Sequence, residues 1–260
     1  MLLVLDVGNT NTVIGVYKGD ELISNWRVLT RPEQTSDEYG VLLQNLYYSS
    51  RISPGEIKSV IVSCVVPPMV GVVDELCKKY FNLIPMHIEP GIKTGMPITY
   101  DNPREVGADR IVNAVAAYHK IKGPLIVVDF GTATTFDCVS RKGEYIGGVI
   151  SPGLTTSSEA LFLKASKLPK VELIRPNSVI GKNTIHSMQS GIIFGYVDLV
   201  DGIVRRISKE MKEEPYVIAT GGLSGIIAKE STTINEVDGF LTLKGLKIIH
   251  DINRPRETNV

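Results

Sequence analysis

Residues 2–22 read LLVLDVGNTNTVIGVYKGDEL, and residues 125–145 repeat the same design as LIVVDFGTATTFDCVSRKGEY. The two segments align without a gap. In each, an aliphatic run ends in an aspartate, a glycine follows two residues later, and an apolar return segment leads to a second turn that contains glycine. Apolar runs bounded by turn residues predict strands joined by hairpins. Because the pattern occurs twice, we interpret the chain as a duplication in which each copy begins with a three-stranded meander.

Helical and strand patterns alternate after each meander. Helices are predicted at residues 36–49, 70–80, 108–120, 184–212, 223–229 and 242–252, and further buried strands at residues 59–65, 83–88 and 215–219. Ser36 is the expected N-cap of the first helix. The pattern predicts two α/β domains, residues 1–114 and 115–260, with a frayed tail over residues 254–260.

The composition excludes several classes of function. Lys and Arg together number 28, as do Asp and Glu, so no strong field favours nucleic acid or an anionic membrane, and we expect neither as a partner. Cys64, Cys77 and Cys138 form no CxxC pair and are expected to be reduced, buried thiols. The N-terminus lacks the features of a signal peptide, and no stretch approaches the roughly 20 apolar residues of a membrane span. We therefore expect a cytoplasmic protein.

The first turn, Asp6-Val7-Gly8-Asn9-Thr10, has the composition of a phosphate-binding loop. A glycine two residues beyond a strand-end aspartate lets the backbone approach a phosphate closely, and exposed amides can hold its oxygens. Asp6 could bind Mg²⁺ through water, because Mg²⁺ keeps much of its hydration. The alternative is a plain hairpin turn, in which Gly, Asn and Asp are all common.

The second turn, which begins at Asp129, repeats this chemistry with hydroxyl groups in place of Asn9. Asp129 could bind a cation directly. A merely structural turn would not require an aspartate at both strand ends. Later, Gly221 and Gly222 follow a buried strand and precede a helix, where glycines expose amides and leave room for a flat adenine. A strand-to-helix turn that needs glycine for its backbone is the alternative there.

A third acidic position, Asp109, lies at a predicted helix start in the string Gly107-Ala108-Asp109-Arg110. Phosphoryl transfer to an alcohol requires a carboxylate that orients the hydroxyl proton, and an arginine beside it can hold a substrate carboxylate through two hydrogen bonds. Asp109 could instead be only an acid of the first helical turn, stabilised by the helix dipole.

The ordered set of motifs resembles the type III pantothenate kinase family, within the superfamily of actin, Hsp70 and the sugar kinases. No single string is decisive, but together they extend over nearly the whole chain. The strings are Asp6-Val-Gly-Asn-Thr-Asn-Thr, Tyr100-Asp-Asn-Pro, Gly107-Ala-Asp-Arg110, Asp129-Phe-Gly-Thr-Ala-Thr-Thr, Gly147-Gly-x-Ile-x-Pro-Gly153, Thr184 and Thr220-Gly-Gly222.

This resemblance implies a fold and a reaction. The fold is α/β, with two duplicated actin-like (ribonuclease H-like) domains, each a mixed five-stranded sheet with helices, and an ATP cleft between them. The reaction is the ATP-dependent phosphorylation of pantothenate to 4′-phosphopantothenate, the first step of coenzyme A synthesis. Mg²⁺ accompanies ATP, and a monovalent cation, K⁺ or NH₄⁺, is also implied. The family is dimeric, so we expect a homodimer.

The resemblance also assigns roles to residues. Asp109 is the implied proton acceptor, Asp129 the implied K⁺ ligand, and Asp6 the residue that holds Mg²⁺ through water. The implied ATP contacts are Asp6, Val7, Gly8, Asn9, Thr10, Asn11, Thr12, Val13, Thr132, Gly221 and Gly222. The implied pantothenate contacts are Tyr100, Gly107, Ala108, Asp109, Arg110 and Thr184.

Two other functions remain compatible with the residues. One is a kinase of the same superfamily that acts on another small molecule. The other is a non-catalytic nucleotide-binding regulator or filament former. The acid and arginine at Asp109 and Arg110 argue against this second function, since a filament ATPase needs no alcohol-binding carboxylate.

Overall fold

The computed structural model describes residues 1–254, so the predicted frayed tail lies outside the described residues beyond Arg254. The described chain divides into two compact units. The first unit contains residues 1–96, 101–116 and 242–254, and the second contains residues 97–100 and 117–241. Each unit is built around one sheet.

The first unit contains a mixed five-stranded sheet. Its strands are β1 (Leu2–Val7), β2 (Asn11–Lys18), β3 (Glu21–Leu29), β4 (Ser59–Cys64) and β5 (Met86–His87). They lie in the order β3-β2-β1-β4-β5. The central strand β1 pairs antiparallel with β2 and parallel with β4, so the predicted meander is confirmed.

The second unit repeats this sheet. Its strands are β6 (Leu125–Phe130), β7 (Ala133–Val139), β8 (Tyr145–Pro152), β9 (Tyr216–Thr220) and β10 (Glu236–Val237). Their order is β10-β9-β6-β7-β8, which becomes the order of the first sheet when each strand is replaced by its counterpart in the repeat. Strand β6 pairs antiparallel with β7 and parallel with β9. The predicted duplication of a five-stranded α/β domain is therefore confirmed.

The two copies differ in the length of the first turn and share a β-bulge in the third strand, and the gapless alignment shows neither feature. Asp6 pairs with Val13 across the first turn, whereas Asp129 pairs with Thr135, so the second turn is one residue shorter. Both third strands contain a β-bulge at the matching position, Ile23 in β3 and Ile146 in β8. A bulge shifts the pairing by one residue and changes which face the following side chains occupy.

Seven helices cover the sheets within the described residues. They are α1 (Ser36–Ser49), α2 (Pro67–Phe81), α3 (Ala108–Lys120), α4 (Leu154–Lys164), α5 (Thr184–Met211), α6 (Ser224–Ile227) and α7 (Leu241–Asn253), with short 3₁₀ turns at Pro54–Glu56 and Pro103–Glu105. The N-cap of α1 is Thr35 rather than the predicted Ser36, because Thr35 and Glu38 form a reciprocal capping box. Helix α4 was not predicted.

Each core lies against the central strand of its sheet. Alternate residues of β1 pack with α1 and α2, and alternate residues of β6 pack with α5. Both central strands are buried along almost their whole length, and in each the aspartate near the carboxyl end is only half-buried. Burial on both faces explains why these strands appear in the sequence as continuous aliphatic runs.

Helix α7 belongs to the first unit, although the sequence suggested one contiguous domain from residue 115 to residue 260. A Cβ added to Gly245 would lie 2.1 Å from the backbone oxygen of Val112, so α7 and α3 are in backbone contact. Thr242 also donates a hydrogen bond of 2.7 Å to Asn113.

Across residues 1–254, no helix combines the length and the apolar composition that crossing a bilayer would need.

Candidate active site

The first turn, between β1 and β2, is held by a residue that the sequence reasoning missed. The Thr30 hydroxyl donates to the Gly8 carbonyl oxygen over 2.7 Å and contacts the Thr12 hydroxyl at 2.9 Å. The Thr30 amide donates to the Thr10 carbonyl oxygen over 3.0 Å. Thr12 is buried, and its hydroxyl contacts the Thr30 hydroxyl, so the Thr12 side chain supports the turn. Only the register of β3, which places Thr30 beside the turn, could have shown this.

The tip of the first turn remains accessible. Asn9 and Thr10 are exposed, whereas Val7 below them is buried. The amide of Gly8 donates to the Asn11 carbonyl oxygen over 3.0 Å and closes the turn. Asp6 is half-buried at the base, beside Val13 on β2 and Ser63 on β4. The turn thus presents polar groups at its tip and a carboxylate at its base, as phosphate binding with a hydrated cation would require.

The second turn, between β6 and β7, is supported by the start of α4. The carbonyl oxygen of Thr132 accepts hydrogen bonds from the Gly153 amide at 3.0 Å and from the Thr156 hydroxyl at 2.7 Å. A Cβ on Gly153 would lie 2.3 Å from that oxygen, so only glycine fits. Gly153, the last residue of the glycine-rich motif at residues 147–153, therefore supports the turn. Thr156 is a second supporting residue that the sequence did not reveal.

Two separate sequence motifs of the second unit meet at Asp129. Gly221 has a φ of 89°, and a Cβ placed on it would lie 2.6 Å from Asp129 Oδ1. It would also lie 2.7 Å from the backbone nitrogen and oxygen of Phe130. The parallel pairing of β6 with β9 sets Asp129 opposite Thr220. The glycine turn after β9 and the half-buried carboxylate near the end of β6 therefore form one cluster.

Asp109 lies in the first turn of α3 with its carboxylate close to the backbone. Asp109 Oδ1 accepts the Arg110 amide over 2.9 Å. It is so close to Gly107 that a Cβ there would lie 2.6 Å away. Burial raises the pKa of the Asp109 carboxyl, although the Arg110 amide and the Arg110 charge partly offset this. A half-buried acid with a raised pKa is typical of a proton acceptor in a site.

The remaining predicted contacts, Tyr100 and Thr184, lie in the second unit. The ring of Tyr100 packs against Tyr145, with centroids 6.4 Å apart. Thr184 is the exposed first residue of α5. It borders a cavity of about 910 Å³ whose lining includes Leu161, Met188 and Tyr196. Among the described residues, those lining this cavity include Thr184 but not Tyr100.

Neither aspartate at the turns belongs to a preformed metal cluster. Within residues 1–254 no group of three or more histidine, cysteine, aspartate or glutamate side chains is arranged to hold a metal ion. A cation at Asp6 or Asp129 would therefore need water, backbone or nucleotide oxygens as its other ligands, which suits the hard cations that accompany nucleotides.

Comparison with known proteins decides the family. The family model described as type III pantothenate kinase matches residues 2–206. The chain belongs to the type III pantothenate kinase family. The predicted family is therefore confirmed, and so is the prediction of a kinase. One relative, named type III pantothenate kinase, from Geobacter sp. (strain M21), is 59% identical over 254 residues, covering 98% of this chain and 100% of the relative.

Solved structures share the fold. A conserved protein from Campylobacter jejuni, described as a Baf family transcriptional activator, superposes with a TM-score of 0.60 at 19% identity, covering 96% of this chain and 98% of its own. The ROK hexokinase from Thermus thermophilus gives a TM-score of 0.50 at 11% identity, covering 95% of this chain and 97% of its own. At such low identity these likenesses concern the fold alone, and they confirm the predicted fold of two five-stranded α/β domains.

Proposed function

We propose that the chain transfers the γ-phosphoryl group of ATP to the primary hydroxyl of pantothenate, forming 4′-phosphopantothenate and ADP. Membership of the type III pantothenate kinase family supports this reaction. The observation that carries the mechanism is the half-buried Asp109 carboxyl, whose pKa is raised by burial, beside Arg110 at the start of α3. A carboxylate of raised basicity is suited to accepting the proton of an attacking hydroxyl.

The first turn would bind the phosphates of ATP through residues Asp6 to Val13. The exposed residues Asn9 and Thr10 are at the tip, and Thr30 holds the turn through hydrogen bonds to the carbonyl oxygens of Gly8 and Thr10. Rigid donors aimed at developing charge are the largest source of rate enhancement in phosphoryl transfer. Asp6 would hold Mg²⁺ through water, and the cation would neutralise charge on the phosphates.

The second turn would bind ATP through Thr132, with Gly221 and Gly222 beside the nucleotide. Asp129 would bind K⁺ or NH₄⁺. The contact of Gly221 with Asp129 supports this grouping, because it places the glycine turn after β9 beside a carboxylate. Such a site suits a weakly hydrated cation, which takes carbonyl as well as carboxylate oxygens.

The acceptor would be held by Tyr100, Gly107, Ala108, Asp109, Arg110 and Thr184. Arg110 is largely buried, so its planar guanidinium could bind the carboxylate of pantothenate through two hydrogen bonds in a partly dry environment. Asp109 would then accept the hydroxyl proton as the oxygen attacks the γ-phosphorus and ADP leaves. Fixing both reactants would make the attack effectively intramolecular.

We further propose a cytoplasmic homodimer with no nucleic-acid or membrane partner. The equal numbers of basic and acidic residues support the absence of such partners. Exposed apolar side chains near α4 and α5 support self-association: Leu163 is 76% exposed, Val179 68% and Ile180 81%. Sedimentation velocity that returns only the 28.4 kDa monomer at micromolar concentration would contradict the dimer.

The decisive experiment is incubation with Mg-ATP, K⁺ and pantothenate, followed by mass analysis. We expect a product heavier than pantothenate by one phosphoryl group, formed in step with ADP. The Asp109→Asn variant serves as the matched control, since it keeps the shape of the side chain but loses its basicity. ADP release without phosphopantothenate, or with another small acceptor preferred, would reject pantothenate as the substrate.

A further inference from the structure

One buried acid of the second unit has no part in the proposed mechanism. Asp137 on β7 is fully buried. Its Oδ1 accepts a hydrogen bond of 2.8 Å from the Tyr145 hydroxyl, and its Oδ2 accepts one of 3.0 Å from the Thr135 hydroxyl. Burying a carboxylate is costly unless hydrogen bonds hold it, so this acid requires an explanation beyond packing.

The bulge in β8 is what brings Tyr145 to Asp137. Asp137 and Val139 lie on the same face of β7, since side chains alternate along a strand. Tyr145 pairs with Val139 only because Ile146 is an extra residue in β8. Without the bulge the Tyr145 side chain would occupy the opposite face. The arrangement is therefore specific to this strand register.

Tyr145 in turn holds the segment that carries Tyr100. The Tyr145 amide donates to the Pro97 carbonyl oxygen over 2.8 Å. Its own carbonyl oxygen accepts the Thr99 amide over 2.9 Å and the Thr99 hydroxyl over 3.0 Å. Segment 97–100 is thus clamped to Tyr145 from both sides of Ile98, which forms a bridge with Tyr145.

The side chain of Tyr100 rests on the same support. Its ring is tilted by 59° to the fully buried Tyr145 ring at a centroid distance of 6.4 Å. Aromatic pairs favour tilted arrangements at such distances. A Cβ placed on Gly147 would lie 3.8 Å from the Tyr100 ring, so the ring also lies against Gly147. The position of Tyr100 therefore depends on where Tyr145 is held.

We propose that Asp137 and Tyr145 are positioning residues for the acceptor: Asp137 anchors the Tyr145 hydroxyl, and Tyr145 sets the place of Tyr100 at the pantothenate site. The inference rests on the proposed role of Tyr100 in binding pantothenate. Neither Asp137 nor Tyr145 touches the substrate, since both are fully buried. Their effect is on the geometry with which the acceptor is held.

The test is the Tyr145→Phe variant, which keeps the ring and removes only the hydroxyl. We expect the KM for pantothenate to rise about tenfold, since misplacement of a substrate-binding group by about 1 Å can cost up to roughly 100-fold. The KM for ATP should stay unchanged. Hydrogen exchange in segment 97–100 should become faster than in the wild type. Asp137→Asn, which can still accept from Tyr145, should shift the acceptor KM less than Tyr145→Phe.

Tyr118→Phe is the matched control. It removes a tyrosine hydroxyl from the same unit, bonded to the Arg141 carbonyl oxygen at 3.3 Å, without touching segment 97–100. The KM for pantothenate and the hydrogen exchange of segment 97–100 should both stay at the wild-type value in this variant. If either the acceptor KM or the exchange of segment 97–100 is unchanged in Tyr145→Phe, the positioning role is overturned. An equal rise in the KM for ATP would overturn it as well.

A separate variant distinguishes failure of the inference from failure of the site assignment. Tyr100→Ala should raise the KM for pantothenate at least as much as Tyr145→Phe does. An unchanged value would remove Tyr100 from the acceptor site and overturn this proposal with it. A raised value in Tyr100→Ala together with wild-type behaviour in Tyr145→Phe would overturn the positioning role alone.

Discussion

The substitution Gly221→Ala offers a sharp test of the cluster at Asp129. The φ of Gly221 is 89°, and a side chain in that left-handed region costs about 1–2 kcal/mol. The added Cβ would lie 2.6 Å from Asp129 Oδ1 and 2.7 Å from the backbone of Phe130. Relieving such overlap in packed structure costs roughly 1–3 kcal/mol more. The expected loss in the free energy of unfolding is therefore about 2–5 kcal/mol.

Urea unfolding followed by circular dichroism measures this loss, because a lower midpoint at unchanged slope reports stability directly. Gly225→Ala in α6 is the control, since a Cβ there meets nothing within 4 Å. It should be neutral or more stable by up to about 1 kcal/mol, as glycine is a poor helix former.

A second measurement connects the strain to function. Because the alanine Cβ would displace the Asp129 carboxylate, we expect Gly221→Ala to lose most of the stimulation of kinase activity by K⁺, while Gly225→Ala keeps it. If Gly221→Ala unfolds within about 0.5 kcal/mol of the wild type, the range of ordinary surface substitutions, the close approach of Gly221 to Asp129 is refuted.

Four further outcomes are expected. Asp109→Asn should lose most turnover yet be more stable at pH 7. Because the pKa of Asp109 is raised in the folded protein, the stability of the wild type falls as pH rises through that pKa. Thermal scans should show the gain in stability vanish below about pH 4. Asp201→Asn should lose about 1–3 kcal/mol of the free energy of unfolding at pH 7. Burial raises the pKa of Asp201, but hydrogen bonds from segment 231–233 outweigh this effect and lower the pKa below its ordinary value. Urea unfolding should therefore show the loss disappear as pH falls through that pKa. Arg110→Lys should raise the KM for pantothenate in steady-state assays, since a bidentate fork becomes a point charge. Asp129→Ala should abolish the response to K⁺, and an unchanged salt requirement would reject that site.

Much of the fold could be predicted because its signals are local. The strands β1 and β6 are aliphatic runs that end in aspartate, and they are buried on both faces as the runs predict. The turns after them contain the glycines that tight approach requires. Helix α5, predicted over residues 184–212, is present as Thr184–Met211 because its apolar stripe is long and regular.

Short elements were found less well. Strand β5 has two residues where six were predicted, and β10, also of two residues, was missed. Two-residue strands carry no periodicity, and they exist only because β4 and β9 offer them an edge. The supports of the turns, Thr30 and Thr156, were missed for a similar reason: each is distant in the chain from the residues it holds.

The duplication, the two acidic turns, the acid and arginine at the start of α3 and the family could all be read from the sequence alone. Each depends on residue types at fixed spacing along the chain. Three further features are visible only in the folded chain: α7 belongs to the first unit, Gly221 lies against Asp129, and the bulge at Ile146 places Tyr145 on the face of Asp137. These contacts join residues remote in the chain. Their formation depends on strand register and packing, in which a shift of one residue reverses the face of a side chain.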